Sequence, residues 1–190
     1  METTGQTLNW MIFYLAHFKE WQEKIHEEIT SIVPGNEVPK LKHRSKVTLL
    51  EAFCQEVHRH ASFIMFTFFK TATRDFKYKN FEFPMGTIFL YCTEPSHHDE
   101  SYWKDATTFR PERWLNQDNS IENHSHFIPF GIGKRNCPGE IAARAVIFLC
   151  LSTLIQRFQW DLAEYVPLDK CRISSNRNPP NYKLIFKERQ

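Results

Sequence analysis

Residues 130 to 139, reading FGIGKRNCPG, constrain the fold of this chain more than any other stretch. Three of the ten are glycine and one is proline, so they form a turn and not the interior of a helix or strand. Immediately after it, Pro138 to Trp160 reads as one long apolar helix with proline near its first position. Cys137 therefore stands at a helix N-terminus, where unpaired N–H groups and the positive end of the dipole favour a thiolate. Gly131, Gly133 and Gly139 let backbone or a flat cofactor approach closely, and Arg135 is a fixed cation able to hold a carboxylate.

A thiolate with open space above it and a carboxylate clamp beside it suggests haem-iron ligation. Two other readings compete. Free cysteines are commonly inert core residues. Gly131-Ile132-Gly133 also begins like a dinucleotide-binding GxGxxG loop, although Asn136 occupies the third glycine position and sets that reading aside. Taken alone, the turn leaves a structural cysteine and a ligand cysteine both open.

With 190 residues the chain can build one domain with a real core. Its formal net charge of +2 gives no electrostatic case for nucleic acid. Cysteines 54, 92, 137, 150 and 171 are odd in number and lack CxxC or Cys/His spacing. That argues against a disulfide framework or zinc site and for a reducing compartment. The longest apolar run, Ala145 to Leu151, is too short to cross a bilayer, and no signal peptide is evident.

Periodicity predicts a helical segment from Gln6 to Thr30, whose first half, Trp10 to Leu15, is apolar nearly all round. Pro34-Gly35-Asn36 breaks the chain. Thr48-Leu-Leu-Glu51 fits a capping box that opens a second helix running to about Ser62, and Thr3-Thr4-Gly5-Gln6 fits another. Strand-like runs occupy Ser62 to Cys92, a polar irregular stretch with helical patches follows from Ser96 to His126, and short strands are expected from Tyr165 to Gln190.

Further motifs precede Cys137. Glu56 and Arg59, at i and i+3, share one helix face, which by itself describes an ordinary surface ion pair. Arg113 ends Phe109-Arg-Pro-Glu-Arg, and Glu2-Thr3 sets an acid beside an alcohol. Taken together, Glu56-Val-His-Arg59 as ExxR, Pro111-Glu112-Arg113 as PER, and Phe130, Gly133, Arg135, Cys137 and Gly139 as FxxGxRxCxG resemble the C-terminal part of a cytochrome P-450. The order and spacing of all three motifs fit, the likeness covers essentially the whole chain, and HHDESYW and FRPERW look most like animal microsomal members.

The resemblance implies a mainly α fold with small β-sheets (α+β), incomplete at its N-terminus, in a single partial domain over 1–190. Its parts would be the distal-helix end and following helix (1–30), the ExxR helix (46–62), a β region (62–92), the PER loop (109–114), the cysteine loop and helix (130–160) and C-terminal strands (161–190). It implies haem b with Cys137 as the thiolate axial ligand, whose electron donation favours O–O cleavage. Arg135 would pair with a propionate, as would Lys70, where microsomal members often carry histidine or arginine. Phe130 and Gly139 would shape the proximal side. Glu56, Arg59 and Arg113 would form a supporting network, and Glu2 and Thr3 would deliver protons.

The implied reaction is monooxygenation of a small apolar substrate with O2, on electrons from an NADPH-cytochrome reductase or cytochrome b5. Lys134 would be a reductase contact. The setting would be the cytosolic face of the endoplasmic reticulum membrane, with attachment only through an N-terminal anchor that this chain lacks. Met1 is expected to begin mid-helix. Two other expectations stand beside this one: a truncated, inactive fragment or incomplete gene model, and a haem-thiolate isomerase or lyase that needs no reductase. If the upstream half is missing, the all-round apolar face of Trp10 to Leu15 and the Phe-rich segment are expected to be exposed.

Overall fold

The computed structural model describes residues 2–35, 37–173 and 176–189; Met1, Asn36 and Gln190, which figure in the sequence expectations, lie outside them. Its helices are α1 (Glu2–His17), α2 (Lys19–Ile32), α3 (Thr48–Ala61), the single turn α4 (Glu94–His97) and α5 (Glu140–Arg157). The architecture is α+β, mainly helical, with four two-stranded antiparallel sheets among the described residues.

The first helical segment is two helices. The break falls at Phe18 (φ −106, ψ 70), without proline or glycine, and so leaves no mark in the sequence. Aromatic packing sets it: the Phe18 ring lies 4.4 Å from Phe109 and 6.1 Å from Tyr14. The expected exposure of Trp10 to Leu15 is corrected here. Trp10, Met11, Phe13, Tyr14 and Leu15 are all buried, because α3, α5 and the C-terminal strands close around them. The Phe-rich segment divides instead: Phe63 is buried while Phe68 is 95% exposed.

α5 is also shorter than the apolar pattern suggested. It ends at Arg157, and Phe158–Leu162 is strand β5, paired antiparallel with β8 (Leu184–Glu188). The cause is a buried amide on α2. Gln22 Oε1 accepts the Trp160 N–H at 2.9 Å, and Gln22 Nε2 donates to the carbonyls of Leu15 and Trp160 at 3.0 and 3.2 Å. These bonds satisfy backbone groups that a longer helix would have paired internally. At its other end α5 starts at Glu140, so Pro138 lies before the first turn.

Neither expected capping box forms. Thr3 lies inside α1, where its carbonyl accepts the Thr7 hydroxyl at 2.9 Å. For α3 the cap comes from α2: Glu28 accepts the N–H and hydroxyl of Thr48 and the N–H of Leu49 at 2.9 to 3.1 Å. A carboxylate on the first N–H groups of a helix satisfies donors that the helix cannot, and opposes the positive end of its dipole.

The sheets are small. β1 (Lys70–Thr71) pairs with β4 (Ile88–Phe89), and β2 (Phe76–Tyr78) with β3 (Phe81–Phe83). β6 (Arg172–Ile173) pairs with β7 (Arg177–Asn178). Arg177 ties that last hairpin to the core, donating its N–H to the Phe63 carbonyl and accepting the Trp10 indole N–H on its own carbonyl.

Candidate functional site

The carboxylate of Glu56 is fully buried on α3 and accepts five hydrogen bonds. Arg59 grips both oxygens at 2.8 Å, one turn along the same face. The Arg110 N–H, the Arg113 Nε and the Trp114 indole N–H complete the set at 2.9, 3.1 and 2.9 Å. This is no surface pair. Arg59 is itself fully buried, and its remaining donors reach the carbonyls of His97, Ala106 and Thr108. Arg113 donates to the carbonyls of Lys104, Asp105 and Thr108, and burial holds its pKa below the usual arginine range. Two charges can be tolerated out of water when each is paired and every donor is matched.

One face of this network leads toward the cysteine loop. His97 Nε2 accepts the Ile128 N–H at 3.2 Å, so Nδ1 carries the proton and donates to the Ser62 hydroxyl at 2.9 Å. Ser62 in turn donates to the Arg59 carbonyl at 2.7 Å. Burial drives the His97 pKa down to about 3 and keeps the ring neutral. The end of α3 is thereby bonded to the backbone two residues before Phe130.

Gly131 and Gly133 take positive φ of 78 and 67°, a conformation that side chains rarely adopt. Their turn lets the Cys137 N–H return to the Phe130 carbonyl at 2.8 Å. Cys137 is exposed, and Gly139 stands at the N-cap of α5, where an added Cβ would come within 3.8 Å of Sγ. Beside the turn is a cavity of about 310 Å³ lined by Lys70, Tyr91, Gly131, Ile132, Lys134 and Arg135. Lys70 from β1 and Arg135 from the turn therefore reach one space, 65 residues apart in sequence. Glu2 and Thr3 are exposed in the first turn of α1, and among the described residues neither side chain bonds to the cysteine loop.

The family model described as Cytochrome P450 matches residues 1–186. This chain belongs to the cytochrome P450 family. It is 34% identical over 189 residues to Cytochrome P450 1A2 of Mus musculus, covering 98% of this chain and 35% of that protein. Against Cytochrome P450 1A1 of Microgadus tomcod it is 34% identical over 192 residues, covering 100% of this chain and 36% of that one. Against Cytochrome P450 2L1 of Panulirus argus the identity is 31%, with 100% and 39% covered. The chain thus spans little more than a third of the curated relatives it matches.

Several residues around the cysteine loop of this P450 chain carry no motif. Tyr91 and Ile132 line the cavity, and His58 and Arg144 both contact the Phe130 ring, at 5.4 Å and 4.8 Å. Helical spacing offered one signal: Glu51, Gln55 and His58 fall on a single stripe of α3. For Arg144 the sequence offered only its i, i+4 spacing from Glu140; its other carboxylate, Glu51, is 93 residues away.

Proposed function

We propose that this chain supplies the haem-thiolate part of a cytochrome P450 monooxygenase that inserts one oxygen atom of O2 into an apolar organic substrate. The observation that carries it is the exposed Cys137 on a glycine turn whose adjoining cavity is framed by three cations, Lys70, Lys134 and Arg135. Haem b is a flat apolar group with two carboxylates and an iron that accepts a thiolate. An exposed sulfur, a turn without Cβ atoms at positions 131 and 133, an exposed Ile132 and cations at 70, 134 and 135 fit that group. When bound, haem supplies oxygen activation, which thiolate donation assists.

Each residue then has a definite task. Cys137 would hold the haem iron through its sulfur, and the bond to the Phe130 carbonyl orients its backbone. Arg135 and Lys70, which line one cavity, would pair with the propionates. Phe130 and Gly139 shield and shape the sulfur side, which sets how strongly a ligand donates. Glu56, Arg59 and Arg113 hold the 97–114 segment, and through His97 the lead-in to the loop. Glu2 and Thr3, exposed in the first turn of α1, would supply protons. Lys134, exposed on the turn, meets an NADPH-dependent reductase or cytochrome b5; unchanged reductase affinity in Lys134→Glu would count against that contact. The cytosolic face of the endoplasmic reticulum belongs to the same proposal, although among the described residues no helix is long and apolar enough to cross a membrane.

The test is the carbon monoxide difference spectrum of the reduced, haem-loaded chain. A thiolate-type Soret band that disappears in Cys137→Ser is the expected result. Failure of the chain to take up haem overturns the reading.

A further inference from the structure

α3 presents a second working face that the network at Glu56 does not use. Glu51, Gln55 and His58 follow one another at i, i+4 and i+7, on the side turned toward the cysteine loop and α5. Glu51 Oε1 accepts Arg144 Nη1 at 3.1 Å, while its Oε2 accepts Arg44. Gln55 donates to the same Oε1 at 3.4 Å. On α5, Glu140 accepts Arg144 Nε at 2.9 Å. The guanidinium is thus held by two carboxylates, one on each helix.

Held there, it lies over the Phe130 ring, 4.8 Å from the centroid. The edge of His58 meets the same ring at 5.4 Å. Phe130 is the residue whose carbonyl takes the Cys137 N–H. A continuous chain of contacts therefore runs from Glu51 through Arg144 and Phe130 to Cys137. It shares no residue with the Glu56, Arg59 and Arg113 network. A planar cation suits both demands, since its N–H edge serves carboxylates while its face lies on a ring.

We propose that Arg144, anchored by Glu51, is a positioning residue that holds Phe130 and thereby the backbone of Cys137. The tether is a property of the chain; its consequence for the sulfur's surroundings rests on the haem-thiolate reading. Lysine at 144 keeps a charge for Glu51 and Glu140 but loses the flat face, so it should restore part of the hold.

The experiment is residue-resolved hydrogen exchange on the full 190-residue chain, comparing wild type with Arg144→Ala, Arg144→Lys and Glu51→Gln. Losing one partly buried cation–π contact and its ion pairs predicts roughly tenfold faster exchange at the Cys137 amide in Arg144→Ala. Arg144→Lys should fall between, and the interior amides of α3 should not change. If Arg144→Ala fails to fold, Glu51→Gln carries the same comparison. Unchanged Cys137 exchange, or equal acceleration throughout α3 and α5, overturns the tether. The carbon monoxide spectrum of the haem-loaded variants is read alongside. A shifted or weakened thiolate band in Arg144→Ala with rescue in Arg144→Lys supports the effect on the sulfur. Altered Cys137 exchange in a chain that shows no thiolate band even as wild type leaves the tether standing and removes the haem reading.

Discussion

Glu28 and Thr48 lie twenty residues apart, yet the carboxylate of the first caps the helix that the second begins. The Glu28 oxygens also take the Leu49 N–H, so one acidic side chain on α2 fixes the start of α3. Replacing Glu28 with alanine should cost about 1–2 kcal/mol of stability, the usual range for a lost cap. Glu51→Ala, at the position where a local capping box was expected, should not disturb the first turn of α3. Chemical denaturation with helix-resolved exchange distinguishes the two; equal effects on that turn would refute the assignment.

Two buried histidines predict an acid-sensitive core. Burial lowers His58 and His97 to about 3, against about 6.5 in an unfolded chain. Below about pH 6.5 the unfolded chain binds protons that the native chain refuses, so the stabilisation present at neutral pH declines as pH falls toward 3. Each ring should contribute a slope of about 1.4 kcal/mol per pH unit in that window. Denaturant midpoints measured from pH 7 to pH 5 should therefore fall steeply, and His58→Phe should flatten the slope. An unaltered slope would rule out His58 as a source.

The Glu56 carboxylate should tolerate no isostere. Glutamine keeps the shape but turns a donor toward Arg59 or Arg113, leaving two buried guanidinium groups facing an amide. Breaking a buried pair in this way costs about 3–5 kcal/mol. Urea unfolding of Glu56→Gln measures it, and a loss under about 1 kcal/mol, the scale of a surface pair, would contradict the buried network.

Lys70 and Arg135 predict additive charge dependence of haem retention. Lys70→Ala and Arg135→Ala should each weaken haem binding by about two- to fivefold, since a partly exposed ion pair contributes about 1 kcal/mol or less. Titration of the apo chain with haem at low and high salt tests this. Arg135→Lys should retain more affinity than Arg135→Ala. Equal affinity in wild type and the double variant would remove both residues from the site.

The motif-bearing residues were legible because their signals are local. One helical turn separates Glu56 from Arg59, and the glycines of 131 and 133 announce a turn that other residues rarely make. The depth of the Glu56 pair was not legible, because a spacing of three describes an exposed pair equally well. Nor were the ends of the helices. Phe18 interrupts a helical pattern through aromatic packing against Phe109, and Gln22 recruits Trp160 into a strand across 138 residues. The burial of Trp10 to Leu15 likewise depends on elements from the far end of the chain. Arg144 illustrates the same limit, since its carboxylate on Glu51 is 93 residues distant and its ring partner belongs to a turn.

The bonds that Arg59 and Arg113 send to five backbone carbonyls between His97 and Thr108 bear on what that stretch keeps without α3. Apart from α4, that stretch has no regular helix or strand to hold its own carbonyls. Besides its own turn bonds and the burial of Trp103 and Ala106, it is tied down by two side chains, one of them on a helix some forty residues upstream. Without α3, with Glu56 and Arg59 turned inward, 98–108 loses the side chains that gather its carbonyls. Grafted onto another protein without α3, the same sequence would keep its local turns but leave the His97, Ala106 and Thr108 carbonyls without Arg59.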